Sequence, residues 1–158
     1  MKTFFRFILL VIILNLVRYF VPVFIEAPLV LEKLFAVMGN NPSYFNTEFT
    51  TFDWVTSYFY NFMMWLTIVW IFHLLHPVLS GHMIVKSLKV FGIMFIFFAS
   101  LSGIYMNHYS HPKEFYFYNV LDAAIVFPIV AVANCLLYPW IMRKKAVEPM
   151  TSQVAATN

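Results

Sequence analysis

The chain has 158 residues, of which 62% are hydrophobic and 11% charged, with a formal net charge of +3; a soluble domain of that size carries about 25% charged residues. Too little polar side chain is present to cover a water-exposed surface, which argues against a soluble globular protein. No run of five or six basic residues exists that could follow a phosphate backbone, which argues against a nucleic-acid partner.

The single Cys135 lies in an apolar run, so an intramolecular disulfide or a Cys-based zinc or iron–sulfur site within one chain is ruled out. The N-terminus begins Met1-Lys2-Thr3 and turns apolar at Phe4, as a secretory signal would. However, Arg18-Tyr19-Phe20-Val21-Pro22 stands where a small-residue cleavage site would be needed. It reads as a retained first span.

A helix needs about 20 mostly apolar residues to cross the hydrocarbon core. Stretches 4–25, 54–76, 88–107 and 118–142 meet that length and apolarity. Lipid leaves only helices and closed barrels as spanning structures, so the fold class is all-α. The expected architecture is a single integral membrane domain over 1–158, an antiparallel bundle of four transmembrane helices.

Between the first two spans lies a connection, 26–53, which is the only sizeable extramembrane piece. Pro28 opens a helix in it whose apolar positions Val30, Leu31, Leu34, Phe35 and Met38 share a face, until Gly39-Asn40-Asn41-Pro42 stops it. Such a short amphipathic helix is expected to lie along the membrane surface. Thr50, three residues before Asp53, gives the second span a capping start. A polar tail, 143–158, follows the fourth span.

Basic residues orient the bundle. Lys2 and Arg6 open the first span, Lys86 and Lys89 sit in the second connection, and Arg143, Lys144 and Lys145 follow the fourth span, leaving Arg18, Lys33 and Lys113. Seven of the ten Lys and Arg thus share one side, which the positive-inside rule makes cytoplasmic, with both termini. The 26–53 connection is acidic, with Glu26, Glu32, Glu48 and Asp53 against Lys33, and is placed outside. No Asn-x-Ser/Thr acceptor is present and the cytoplasmic connections are short, which points towards a bacterial inner membrane.

An ionisable group at membrane depth costs roughly 2.5–3.5 kcal/mol on insertion scales and needs a reason. Arg18 and Asp122 both fall in the outer third, near the outer ends of the first and fourth spans, and their matched depth predicts an ion pair. Asp53, Ser57 and Asn61 add a polar stripe at spacings of four, and Asn61 or Tyr105 is expected to satisfy spare donors of the pair. Arg18, Asn61 and Asp122 therefore form a candidate buried polar layer, able to hold a small anion, a lipid head group or a proton path. The alternative is that Arg18 snorkels and the pair only fixes helix register.

Histidines repeat a pattern, His73-x-x-His76-Pro77 and His108-x-x-His111-Pro112. Spacing of three puts both imidazoles on one helical face, as a metal pair requires, but neither pair has a dictated third ligand. His82 joins only the first pair, while Glu114 or Asp53 is available to the second. With the motifs on opposite sides, they read first as helix endings, where His suits the dipole and Pro follows. Haem between facing helices lacks a partner His at equal depth, and no cofactor is expected.

Ala99-x-x-x-Gly103 lets backbones approach, ordinarily for packing within the bundle and alternatively for a homo-oligomer. Walker, Rossmann, His-Glu-x-x-His and Gly-x-Ser-x-Gly patterns are absent. The expected function is non-enzymatic: an accessory subunit, assembly factor or interaction partner of another membrane protein in the lipid bilayer. Two rivals are a small oligomeric transporter or channel using the outer polar layer, and a membrane-embedded metal enzyme based on His108 and His111.

Overall fold

A computed structural model of the chain describes residues 2–46 and 48–142. The tail expected at 143–158, with Arg143, Lys144 and Lys145, lies outside the described residues. Among the described residues the regular structure is entirely helical. Four stretches are long and apolar enough to cross a membrane: Thr3–Asn40, Thr51–Leu75, Met83–His108 and Lys113–Met142.

The first of these is longer than the sequence suggests, because the expected break after residue 25 is absent. Helix α1 (Lys2–Phe20) passes at Pro22 into a single turn, α2 (Val23–Glu26), then a π-helical turn (Ala27–Leu31), then α3 (Glu32–Asn40). Pro22 and Pro28 each remove one backbone donor, and their rings crowd the carbonyl four residues back. The chain bends at Val21 and turns at Pro22 before helix resumes at Val23, whereas Pro28 is absorbed within continuous helix. Ile25 N donates to Pro22 O at 2.8 Å, and beyond Pro28 the ladder widens so that Glu32 N reaches Ala27 O, five residues back. The amphipathic helix expected near Pro28 thus exists as the continuation of the first span, and both the π turn and α3 pack against the last helix.

Helix α4 (Thr51–Leu75) starts at a full capping box. Thr50 Oγ1 accepts from Asp53 N at 3.3 Å, and Thr50 N donates to Asp53 Oδ2 at 2.8 Å. At its other end Lys86 Nζ donates to His76 O at 2.8 Å and Lys89 Nζ to Ser80 O at 3.2 Å, so two basic residues, expected in the second connection but found in the first two turns of the following helix, satisfy carbonyls at and after the helix end. Gly81 makes the turn there at φ +104°, a conformation that a side chain resists. Helices α5 (Met83–His108) and α6 (Lys113–Met142) complete the bundle, α6 carrying Pro128 and Pro139 internally.

The core follows helical spacing. Leu10, Val11 and Leu14 of α1, Ile68, Val69 and Phe72 of α4, Val90 and Phe91 of α5, and Val126, Val130 and Ala131 of α6 are buried together. Outside this seam the helices expose large apolar side chains, among them Phe20, Phe24, Ile96, Phe97, Leu136 and Trp140. Exposure on that scale is far beyond what a monomeric soluble surface carries. Gly92 and Gly103 meet nothing where a Cβ would stand, so among the described residues Gly103 serves no close helix contact, contrary to the ordinary reading of the Ala99-x-x-x-Gly103 pattern.

One polar clasp crosses the core between α5 and α6. Ser87 Oγ donates to Ala131 O at 2.7 Å and accepts from Asn134 Nδ2 at 3.1 Å, with Ser87 and Asn134 both at 0% exposure. Ser87→Ala strands the Asn134 amide and is expected to cost about 1–3 kcal/mol. Replacing both, Ser87→Ala with Asn134→Leu, should restore most of that, as thermal unfolding in detergent would read.

Candidate functional site

Pro22 ends α1 one turn after Arg18, and the helical continuation brings Glu26, two turns on, to the same face as Arg18. Arg18 consequently meets two acids. Its Nη2 lies 3.4 Å from Asp122 Oδ2 on α6, and its Nη1 lies 3.7 Å from Glu26 Oε1. Glu26 is buried, with a side chain only 3% exposed, and its Oε1 has no hydrogen-bond partner among the described residues. The Tyr19 ring lies 5.0 Å from the guanidinium carbon, and Tyr19 leans in turn on Tyr58 of α4. The expected pair is therefore a triad of one cation and two acids. Glu26, assigned from the sequence to an external connection, is its most buried member.

Beside the triad lies a cavity of about 200 Å³, bounded by Arg18 of α1, Asn61 and Trp65 of α4, Phe98 of α5, and Asn119 and Asp122 of α6. Asn61 Oδ1, Trp65 Nε1 and Asp122 Oδ1 are buried and have no hydrogen-bond partner among the described residues. Native structures leave few such groups, because each forfeits water without replacement. Neither Asn61 nor Tyr105 takes up spare donors of Arg18, as the sequence suggested. The Asn61 oxygen is unpartnered, and Tyr105 stacks edge-on against Tyr109. Of the stripe Asp53, Ser57 and Asn61, Asp53 caps α4, Ser57 is exposed, and Asn61 alone reaches the cavity. Trp65, which the sequence does not single out, stands one turn beyond Asn61 at 1% exposure, and that spacing is its available signal.

The histidines separate into two environments. His73 and His76 both approach the buried Tyr138 of α6, His73 Nδ1 at 2.5 Å and His76 Nδ1 at 3.5 Å from its hydroxyl. His111 bonds the Tyr116 hydroxyl at 2.9 Å and stacks on Phe45, while His108 is exposed and lies outside that cluster. His82 is the exposed N-cap residue of α5 and makes no side-chain capping bond. Among the described residues no three His, Cys, Asp or Glu side chains gather as a metal-ligand set.

The two polar regions stand at opposite ends of the bundle. Asn61 and His73 are separated by 12 positions on one helix, about 18 Å at 1.5 Å per residue. Leu10, Val11, Leu14, Ile68, Val69 and Val130, all buried, fill the space between. No family model, curated protein or solved structure matches the chain.

Proposed function

We propose that the chain is an integral membrane protein of four antiparallel spans whose bundle binds a small polar solute in the layer formed by Arg18, Glu26, Asn61, Trp65 and Asp122. This is the transport-class reading. The observation that carries it is the set of unpartnered polar atoms, Asn61 Oδ1, Trp65 Nε1 and Asp122 Oδ1, around one cavity. They offer two acceptors and a donor beside a guanidinium, so a solute with both N–H or O–H and a carbonyl-type oxygen would satisfy them. At about 200 Å³ the space equals that of roughly six or seven liquid waters.

Antiparallel spans are supported by where helices touch. Phe7 at the start of α1 meets Trp70 and His73 near the end of α4, and Arg18 near the end of α1 meets Asp122 near the start of α6. The basic residues Arg6, Lys86 and Lys89 favour cytoplasmic termini, in a bacterial inner membrane. A continuous channel is disfavoured by the apolar septum, so movement of a solute would need rearrangement around a fixed site. The accessory-subunit reading, first in line from the sequence, draws only on exposed apolar faces, which lipid covers as well as a partner does.

The test uses Trp65 as its own reporter. With Trp54, Trp70 and Trp140 replaced by Phe, the remaining indole emission is followed while glycine, acetate, acetamide and urea are added in turn. A saturable change with at least one of them, abolished by Asn61→Leu, is expected. Absence of any response, together with a stoichiometric membrane protein copurifying in mild detergent, would favour the accessory subunit.

A further inference from the structure

We infer that the solute taken by the Asp122 layer is a small organic cation, a protonated amine that also carries a hydroxyl or carbonyl oxygen. This specifies the substrate class of the site proposed above and rests on that reading. Among the described residues the layer holds one permanent cation against two carboxylates. Arg18 Nη2 lies 3.4 Å from Asp122 Oδ2, and Arg18 Nη1 lies 3.7 Å from Glu26 Oε1. One guanidinium neutralises one acid, so the layer keeps an excess of one negative charge. Such a charge is costly inside an apolar bundle unless a second cation joins it. Lys33 and Lys113, the next basic residues along the same helices, stand about two turns or more from Glu26 and Asp122 and pair with neither.

The unpartnered atoms divide the ligand into two ends. Arg18 holds Asp122 through Oδ2, which leaves Asp122 Oδ1 buried and open, and Asn61 Oδ1 is in the same condition. Both only accept, and a carboxylate oxygen is met most strongly by a charged N–H donor. Trp65, at 1% exposure, contributes a buried Nε1–H that lacks an acceptor, and so calls for an oxygen on the same ligand. The rings of Trp65, Phe98 and Phe127 also line the cavity, and aromatic faces attract an ammonium group. Ethanolamine carries both ends and fits a space of about 200 Å³. Glu26 is absent from the described lining of this cavity, so it favours the ligand through its charge rather than by contact.

The full chain in mild detergent, with Trp65 as its single tryptophan, is titrated at constant ionic strength with ethanolamine, propylammonium, acetamide and potassium. Trp65 emission is followed, with the melting temperature of the unaltered chain in parallel. Ethanolamine should bind saturably and at least about tenfold more tightly than acetamide, the worth of one charge-assisted contact. Propylammonium, which has a methyl group in place of the hydroxyl, should fall between them, and potassium should have no effect. Glu26→Gln removes the excess charge without altering the lining, and should weaken ethanolamine about tenfold and acetamide by less. Acetamide binding as tightly as ethanolamine would overturn the inference and leave the solute site standing, the missing charge then being a proton on one of the acids. Propylammonium binding as tightly as ethanolamine would overturn the pairing of Trp65 Nε1 with an oxygen. No response to any of the four would overturn the solute site as well.

Discussion

Arg18→Met is expected to destabilise the folded protein by about 3–5 kcal/mol, the usual cost of stranding buried charge. The substitution leaves Glu26 and Asp122 facing each other with no cation between them. Asp122→Leu should cost clearly less, because Glu26 remains to hold the guanidinium. The double variant Arg18→Met/Asp122→Leu should recover little, since Glu26 is still buried and now alone. Only Arg18→Met/Glu26→Leu/Asp122→Leu, which removes every member, should regain much of the stability. Melting temperature and monodisperse yield after detergent extraction report these differences. Independent, additive effects of the three changes would mean that the groups do not act as a unit.

The second large effect is expected at Trp65, which packs against Phe91 at 6.3 Å and Phe127 at 5.3 Å between ring centroids. Trp65→Ala opens a void where α4, α5 and α6 meet and should cost about 3 kcal/mol or more. Trp65→Phe keeps most of the packing and deletes the unpartnered Nε1–H. It should therefore leave unfolding close to wild type while weakening solute binding. Equal loss of stability in both variants would assign Trp65 to packing alone.

Hydropathy revealed the helices because their apolar runs are long, and Arg18 and Asp122 could be paired because two opposite charges at one depth need each other. Glu26 was hidden by Pro22 and Pro28, which ordinarily mark a helix end. In this chain the π turn lets the helix continue, and only the eight-residue spacing from Arg18 would have signalled the shared face. His73 and His76 were visible as a pair at spacing three, but their partner Tyr138 lies more than 60 positions away and has no pattern linking it to them. The cavity itself is a product of packing between helices, which one-dimensional spacing does not encode. The amphipathic segment near Pro28 was recognisable as helix from its apolar face. Its attachment to the first span depended on backbone adjustments that the side-chain pattern does not record.

Cysteine accessibility in intact cells tests most directly whether this is a four-span bundle with cytoplasmic termini. Ser43→Cys and Ser152→Cys, each in a Cys135→Ser background, are treated with an impermeant thiol reagent before and after lysis. Ser43→Cys should label in intact cells, and Ser152→Cys only after lysis. Labelling of Ser152→Cys but not Ser43→Cys before lysis would contradict the account and exchange the sides of the two polar regions.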